Sequence, residues 1–199
     1  MAFPDFFAQV SPLHMRDPLA ALLGAAEAGL ITYRYEDAVR LAGHSCPTVA
    51  GAWLMTRKAL ETLYPDGPAM RGGIRVELRD AMAAGTTGVT GSVMGLITGA
   101  AGEGGFKGLN GRFARNDLLS YGVAMDGEAR FTRLDTGAKV TLSYQPANVS
   151  ADPAMVPLMQ KMLAGEADAD ERARFGALWQ DRVRRILLDH ADEVVRIQP

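Results

Sequence analysis

The segment His44–Gly67, "HSCPTVAGAWLMTRKALETLYPDG", decides how the rest of the chain is read. Pro47 suits the first position of a helix, because its missing N–H is one that a helix start leaves unpaired anyway. Pro65-Asp66-Gly67 cannot continue a helix and marks its end. Between them Val49, Ala50, Trp53, Leu54, Leu60 and Leu63 recur with helical spacing and predict a buried face. A helix beginning at Pro47 makes Cys46, the only cysteine of the chain, its N-cap.

Working outward, the chain alternates helical and extended signals. Residues 1–16 read as an irregular arm anchored by Phe3, Phe6 and Phe7. Asp17 as cap, Pro18 at the first turn and Gly29 at the far end predict a helix over 18–28. "YEDAVRLAG" predicts a shorter helix ending at Gly43. On the other side, "GGIRVELRD" alternates Ile74, Val76 and Leu78 against charged neighbours, as a half-buried strand does. Residues 87–98 fit either a strand or a helix of small residues, and a glycine-rich loop region follows. "EARFTRLDTGAKVTLSYQP" reads as a hairpin with strands near 129–134 and 139–144. A linker-like stretch runs from Pro146 to Pro153. Two helices come after it, the second from about 169 to 190, with Phe175, Leu178, Trp179, Val183, Ile186 and Leu187 as its stripe. The order predicts an α+β protein with N-terminal helices, a mainly antiparallel sheet and a C-terminal helical extension. Residues 1–150 are expected to form the core domain, and residues 151–199 to pack on it or on a dimer partner.

The totals narrow the function classes. The chain has 199 residues, a formal net charge of −2, 48% hydrophobic and 22% charged residues. That is an ordinary globular composition, without the basic excess that neutralises phosphates, so no nucleic-acid partner is expected. No apolar run approaches the ~20 residues that span a bilayer, and the first residues lack a secretory pattern. No membrane partner is expected, and the expected location is cytoplasmic. One cysteine excludes an internal disulfide and a four-thiolate zinc site.

The helix start carries the chemistry. Its free N–H groups and the positive end of its dipole favour a thiolate at Cys46, as a nucleophile or a metal ligand. His44 lies two residues away, and His-x-Cys is a compact pair for zinc, iron, nickel or copper. Against this, a lone cysteine is often a small buried hydrophobe. His14, in "SPLHMRDP", is the candidate third ligand. Lys107 and Arg112, in and beside the glycine-rich region, are candidates to hold a small anionic ligand. Met55, Met94, Met155, Met159 and Met162 read as core filler more readily than as a copper set, although methionine beside the Cys/His pair favours Cu(I).

"GHSCP", Gly43–Pro47, followed by a small-residue helix, resembles the signature of the formylmethanofuran dehydrogenase E-subunit-like family. "LITGAAGEGGFKGL", Leu96–Leu109, is similar to the glycine-rich segment that follows in that family. The resemblance covers roughly residues 15–145. It implies an α+β core, an intertwined homodimer and a cysteine in a cavity that takes a transition metal. Departures are specific. Many members carry a second histidine where this chain has Ala42, and Gly where it has Thr48. Many place Cys and Asp near the positions of Val89 and Ser92. The C-terminal zinc finger of some members has no counterpart here.

Three functions follow as expectations. The first is a metal- or metallocofactor-binding protein on His44 and Cys46, with zinc as first choice of ion and haem as a further option, active in redox or Lewis-acid chemistry. The second is a metal-free thiol enzyme with Cys46 as catalytic nucleophile. The third is a non-catalytic subunit or interaction module.

Overall fold

The structure is a computed structural model that describes residues 3–199. The protein is α+β, with two sheets around one hydrophobic core. In the smaller sheet, β1 (Leu13–Arg16) lies between antiparallel β2 (Leu30–Tyr33) and parallel β3 (Ala69–Met70). The larger sheet has the order β5-β4-β6-β7-β8. Its strands are β4 (Ile74–Leu78), β5 (Leu119–Ser120), β6 (Ala129–Arg133), β7 (Lys139–Tyr144) and β8 (Val195–Ile197). All its neighbours are antiparallel except β4 and β5. Among the described residues no helix is long and apolar enough to cross a membrane.

Helix α3 (Pro47–Leu63) is the central rod. Its expected start and stop are observed within a residue or two, and Val49, Ala50, Trp53 and Leu54 are fully buried. Beside it lie α2 (Tyr35–Ala42) and α4 (Thr87–Thr98). The segment that fitted either strand or helix is therefore a helix. Its glycines explain the ambiguity: a Cβ at Gly91 would lie 2.3 Å from the Tyr121 hydroxyl, so the small residues serve close packing. Gly51 does the same for α3. The ring of Tyr144 lies where a Cβ would stand, which lets β7 cross the helix.

Two expectations are corrected near the N-terminus. The helix expected over 18–28 is only α1 (Pro18–Leu22), followed by turns and a 3-10 turn at Glu27–Gly29. The arm expected to be irregular contains β1, whose pairing with β2 uses the β-branched Ile31 and Thr32. Phe6 and Phe7 are buried, the latter edge-on to Tyr35 with ring centroids 5.0 Å apart. Residues 1 and 2 of the arm lie outside the described residues.

At the C-terminal end are α5 (Met155–Ala164), α6 (Ala169–Arg184) and α7 (Ala191–Val194). A π turn at Arg185–Asp189 continues α6 and brings Ile186 and Leu187 into the core. The chain then returns as β8 on the edge of the larger sheet. The C-terminal extension thus combines helices with a strand that closes the core sheet of the same chain.

Candidate functional site

The entry to α3 is built by a left-handed turn. Gly43 ends α2 at φ 77°, His44 sits on a bend, and Cys46 is extended before Pro47 starts the helix. His44 is exposed, whereas Ser45 and Cys46 are each 8% exposed. Because His44 lies on a bend and not in a strand, the rule that residues two apart share a face does not apply. The imidazole turns outward and the thiol inward, where Cys46 is part of the hydrophobic core.

The inward side is well partnered. The hydroxyls of Tyr35 and Ser45 share a hydrogen bond of 3.0 Å. The Ser45 carbonyl accepts from Trp179 Nε1 at 2.9 Å and Gln180 Nε2 at 3.1 Å, which clamps α6 onto the turn. Tyr144 donates to the Pro47 carbonyl at 2.8 Å. Burial raises both tyrosine hydroxyls far above their ordinary range, so both stay protonated.

The outward side is a mostly apolar hollow of about 500 Å³ shared by His44, Met159, Phe175, Gly176 and Trp179, with Ser45 and Gln180 at its wall. The rings of Phe175 and Trp179 are 5.6 Å apart, and no atom lies within 4 Å of where a Cβ on Gly176 would stand. His44 Nδ1 is 2.9 Å from the Ala42 carbonyl. A carbonyl only accepts, so Nδ1 carries a proton, and in the neutral ring this tautomer leaves the lone pair at Nε2. A backbone carbonyl that fixes the tautomer and the ring in this way prepares a histidine to ligate.

Around the corner, Ala42, Val89 and Ser92 line another hollow of about 500 Å³ with Leu41 and Met82. These are the positions where the resemblance expects further ligands. They do converge, but they present a methyl, an isopropyl and a hydroxyl that donates to the Gly88 carbonyl. A third opening, a cleft of about 350 Å³, lies where the starts of α3 and α4 meet. Thr48 donates to Thr86 there at 3.3 Å, and Asp80, Glu128 and Tyr144 line it. Burial pushes the Glu128 carboxyl above its usual range, opposed in part by the Tyr144 N–H at 3.3 Å.

The remaining expected residues lie elsewhere. His14 is on β1, with Nδ1 3.0 Å from Thr32 Oγ1, and lines a cavity beside the far half of α3. Lys107 and Arg112 are exposed on the glycine-rich loop, where Arg112 stacks 4.9 Å from the Phe113 ring centroid. Neither lines any of these four cavities, nor does Cys46. Among the described residues no group of three or more His, Cys, Asp or Glu side chains is placed to hold a metal ion. The exposed His44 and the buried Cys46 do not form the chelating pair expected from their spacing.

The buried cation of the loop region is Arg115. It donates to Asp17 Oδ1 at 2.7 Å, while Arg71 donates to Asp17 Oδ2 at 3.0 Å and to the Leu96 carbonyl. Asp17 also caps α1 through the N–H groups of Leu19 and Ala20, the cap read from sequence. Burial opposes its ionisation, but the Ala20 N–H and the two guanidinium groups outweigh it and hold the carboxyl below its ordinary range. Gly72, at φ 80°, makes room: a Cβ there would overlap Arg115 Nη1. Neither guanidinium was legible locally, since the partners lie 54 and 98 residues from Asp17.

In comparisons with known proteins, no family model matches the chain and no curated protein matches it.

Proposed function

We propose that the protein binds a metallocofactor that carries its own equatorial donors, haem being the type, on the Nε2 atom of His44. The observation that carries this reading is the hydrogen bond from His44 Nδ1 to the Ala42 carbonyl, which leaves Nε2 free to ligate on a residue that lines a mostly apolar hollow. A macrocycle of this kind supplies four nitrogens itself, so one imidazole from the protein suffices. Phe175, Trp179 and the bare backbone at Gly176 would offer an apolar wall, and the Met159 thioether would be a soft second donor from the same hollow. When bound, such a group supplies one-electron redox chemistry. The protein's own part is to orient the imidazole, fix its tautomer and exclude water from one face.

The family resemblance supports this reading only in the position of the site, at the Gly-His-Ser-Cys-Pro turn. The missing donors at Ala42, Val89 and Ser92 favour a cofactor over a bare ion. Cys46, buried beneath the turn, is assigned a packing role.

Titration of tag-free protein with hemin tests the reading. A Soret band that shifts and saturates at one equivalent is expected, with the affinity of His44→Ala at least a hundredfold weaker. Met159→Ala should alter the spectrum more than the affinity. No saturable shift, or an unchanged affinity in folded His44→Ala, refutes it.

A second reading concerns assembly. Helix α1 buries none of its residues, and Leu22 and Leu23 are 61% and 65% exposed. Such an apolar face suits a homodimer. A monomeric mass by light scattering at micromolar concentration counts against it.

A further inference from the structure

The far half of α3 and the smaller sheet line a cavity of about 550 Å³, within the range of small-molecule sites. It is distinct from the His44 hollow. The two lie toward opposite ends of a 17-residue helix, a rod about 25 Å long at ~1.5 Å per residue. Leu13, Leu30 and Leu60 give it apolar walls, and His14 and Arg57 line it among them.

Arg57 stands out because none of its guanidinium nitrogens makes a hydrogen bond among the described residues. Its side chain is only 17% exposed and its Nε is buried; the Nε of Arg71 is also unpartnered, but that side chain bonds through both Nη atoms. The carboxylate of Glu61, one turn on, stands 3.6 Å from Nε, beyond hydrogen-bond range, and that side chain is 59% exposed. Other inward-facing arginines are hydrogen-bonded: Arg115 and Arg71 to Asp17, Arg130 to Glu77 through both oxygens. A largely buried guanidinium whose only ion pair is loose and not hydrogen-bonded is an incomplete pair, and its planar fork matches a carboxylate. His14 has one nitrogen engaged by Thr32 and the other available.

We propose that this cavity binds a small organic monocarboxylate with an apolar body. Arg57 takes the carboxylate, His14 is the second polar contact, and the body lies against Leu13, Leu30 and Leu60. One guanidinium, with Glu61 close by, favours a single negative charge and disfavours polyanions. The apolar walls favour a chain or ring over a sugar.

Calorimetric titration of the full chain with decanoate, and with decanol as a neutral ligand of equal length, tests this. One decanoate site is expected. Arg57→Met should weaken decanoate at least tenfold and leave decanol unchanged. Should that variant not fold, Arg57→Lys keeps the charge without the fork, and at least a threefold loss is expected. His14→Gln should give a smaller loss. Absence of decanoate binding, several equivalent sites, or equal decanoate affinity in the wild type and a folded Arg57 variant overturns the proposal. His44→Ala should bind decanoate as the wild type does, so this inference and the His44 reading fail separately.

Discussion

The inner and outer sides of the turn before α3 use similar residues to opposite ends. Inside, Ser45, Tyr35 and Cys46 are buried, and the two hydroxyls satisfy each other. Outside, His44 has one nitrogen fixed by a backbone carbonyl, and the residue lines a mostly apolar hollow. The same contrast separates Asp17, enclosed by two arginines and two N–H groups, from Arg57, whose Nε has no hydrogen-bond partner among the described residues. A buried polar group with its full set of partners is part of the scaffold. A polar group held in place with an unused valence beside a cavity is a candidate to bind something. Substitutions on the two sides should therefore split into losses of stability and losses of affinity.

The largest expected loss of stability is at Asp17. Asp17→Asn leaves two guanidinium groups short of their anion and should cost about 3–5 kcal/mol in urea unfolding. Hemin affinity of the folded fraction should not change. Because the native carboxyl titrates below its ordinary range, its stabilisation is complete above the unfolded value of ~3.9 and disappears as pH falls through the lower native value. The variant should lack that acid limb. A wild-type acid limb retained in Asp17→Asn contradicts the assignment.

Tyr35→Phe comes next. It leaves the Ser45 hydroxyl buried without its partner and should cost about 1–3 kcal/mol, again with hemin affinity unchanged. Cys46→Ala is a sharper discriminator, because the thiol is the residue that sequence reasoning favours most. A loss of about 1 kcal/mol from reduced packing is expected, and no change in the Soret spectrum. A lost or shifted band in Cys46→Ala breaks the inner–outer division.

Glu128→Gln should have the smallest effect, and of opposite sign. Burial raises the native carboxyl, so its favourable contribution is complete below the unfolded value of ~4.3 and is lost as pH rises through the native value. At neutral pH the glutamine variant should be the more stable, and the difference should shrink toward acid. Equal pH–stability curves for the two proteins contradict this.

Much of the architecture was legible in local signals. Pro47 and the Pro-Asp-Gly stop bound α3, Asp17 caps α1, and the hairpin of β6 and β7 follows the alternation around Asp135-Thr136-Gly137. The four-residue strands β1 and β2 were missed, because such short runs acquire their meaning only on pairing. The site was legible as a position and not as a geometry. "GHSCP" points to the turn, but the bend at His44 decides that imidazole and thiol face apart. The hollow beside His44 is completed from α5 and α6, more than a hundred residues on, where Met159 and Trp179 look like ordinary helix-face residues. The orphaned Arg57 reads in sequence as a charged position of a helix; its isolation arises from the neighbouring sheet.

The most direct test of the central claim is chemical rescue of His44→Gly. With hemin alone, this variant should show no shifted Soret band. Adding imidazole should restore the wild-type spectrum at one equivalent of hemin, because the free ring replaces the one removed. A wild-type band in His44→Gly without imidazole would place the cofactor on another residue and contradict the account.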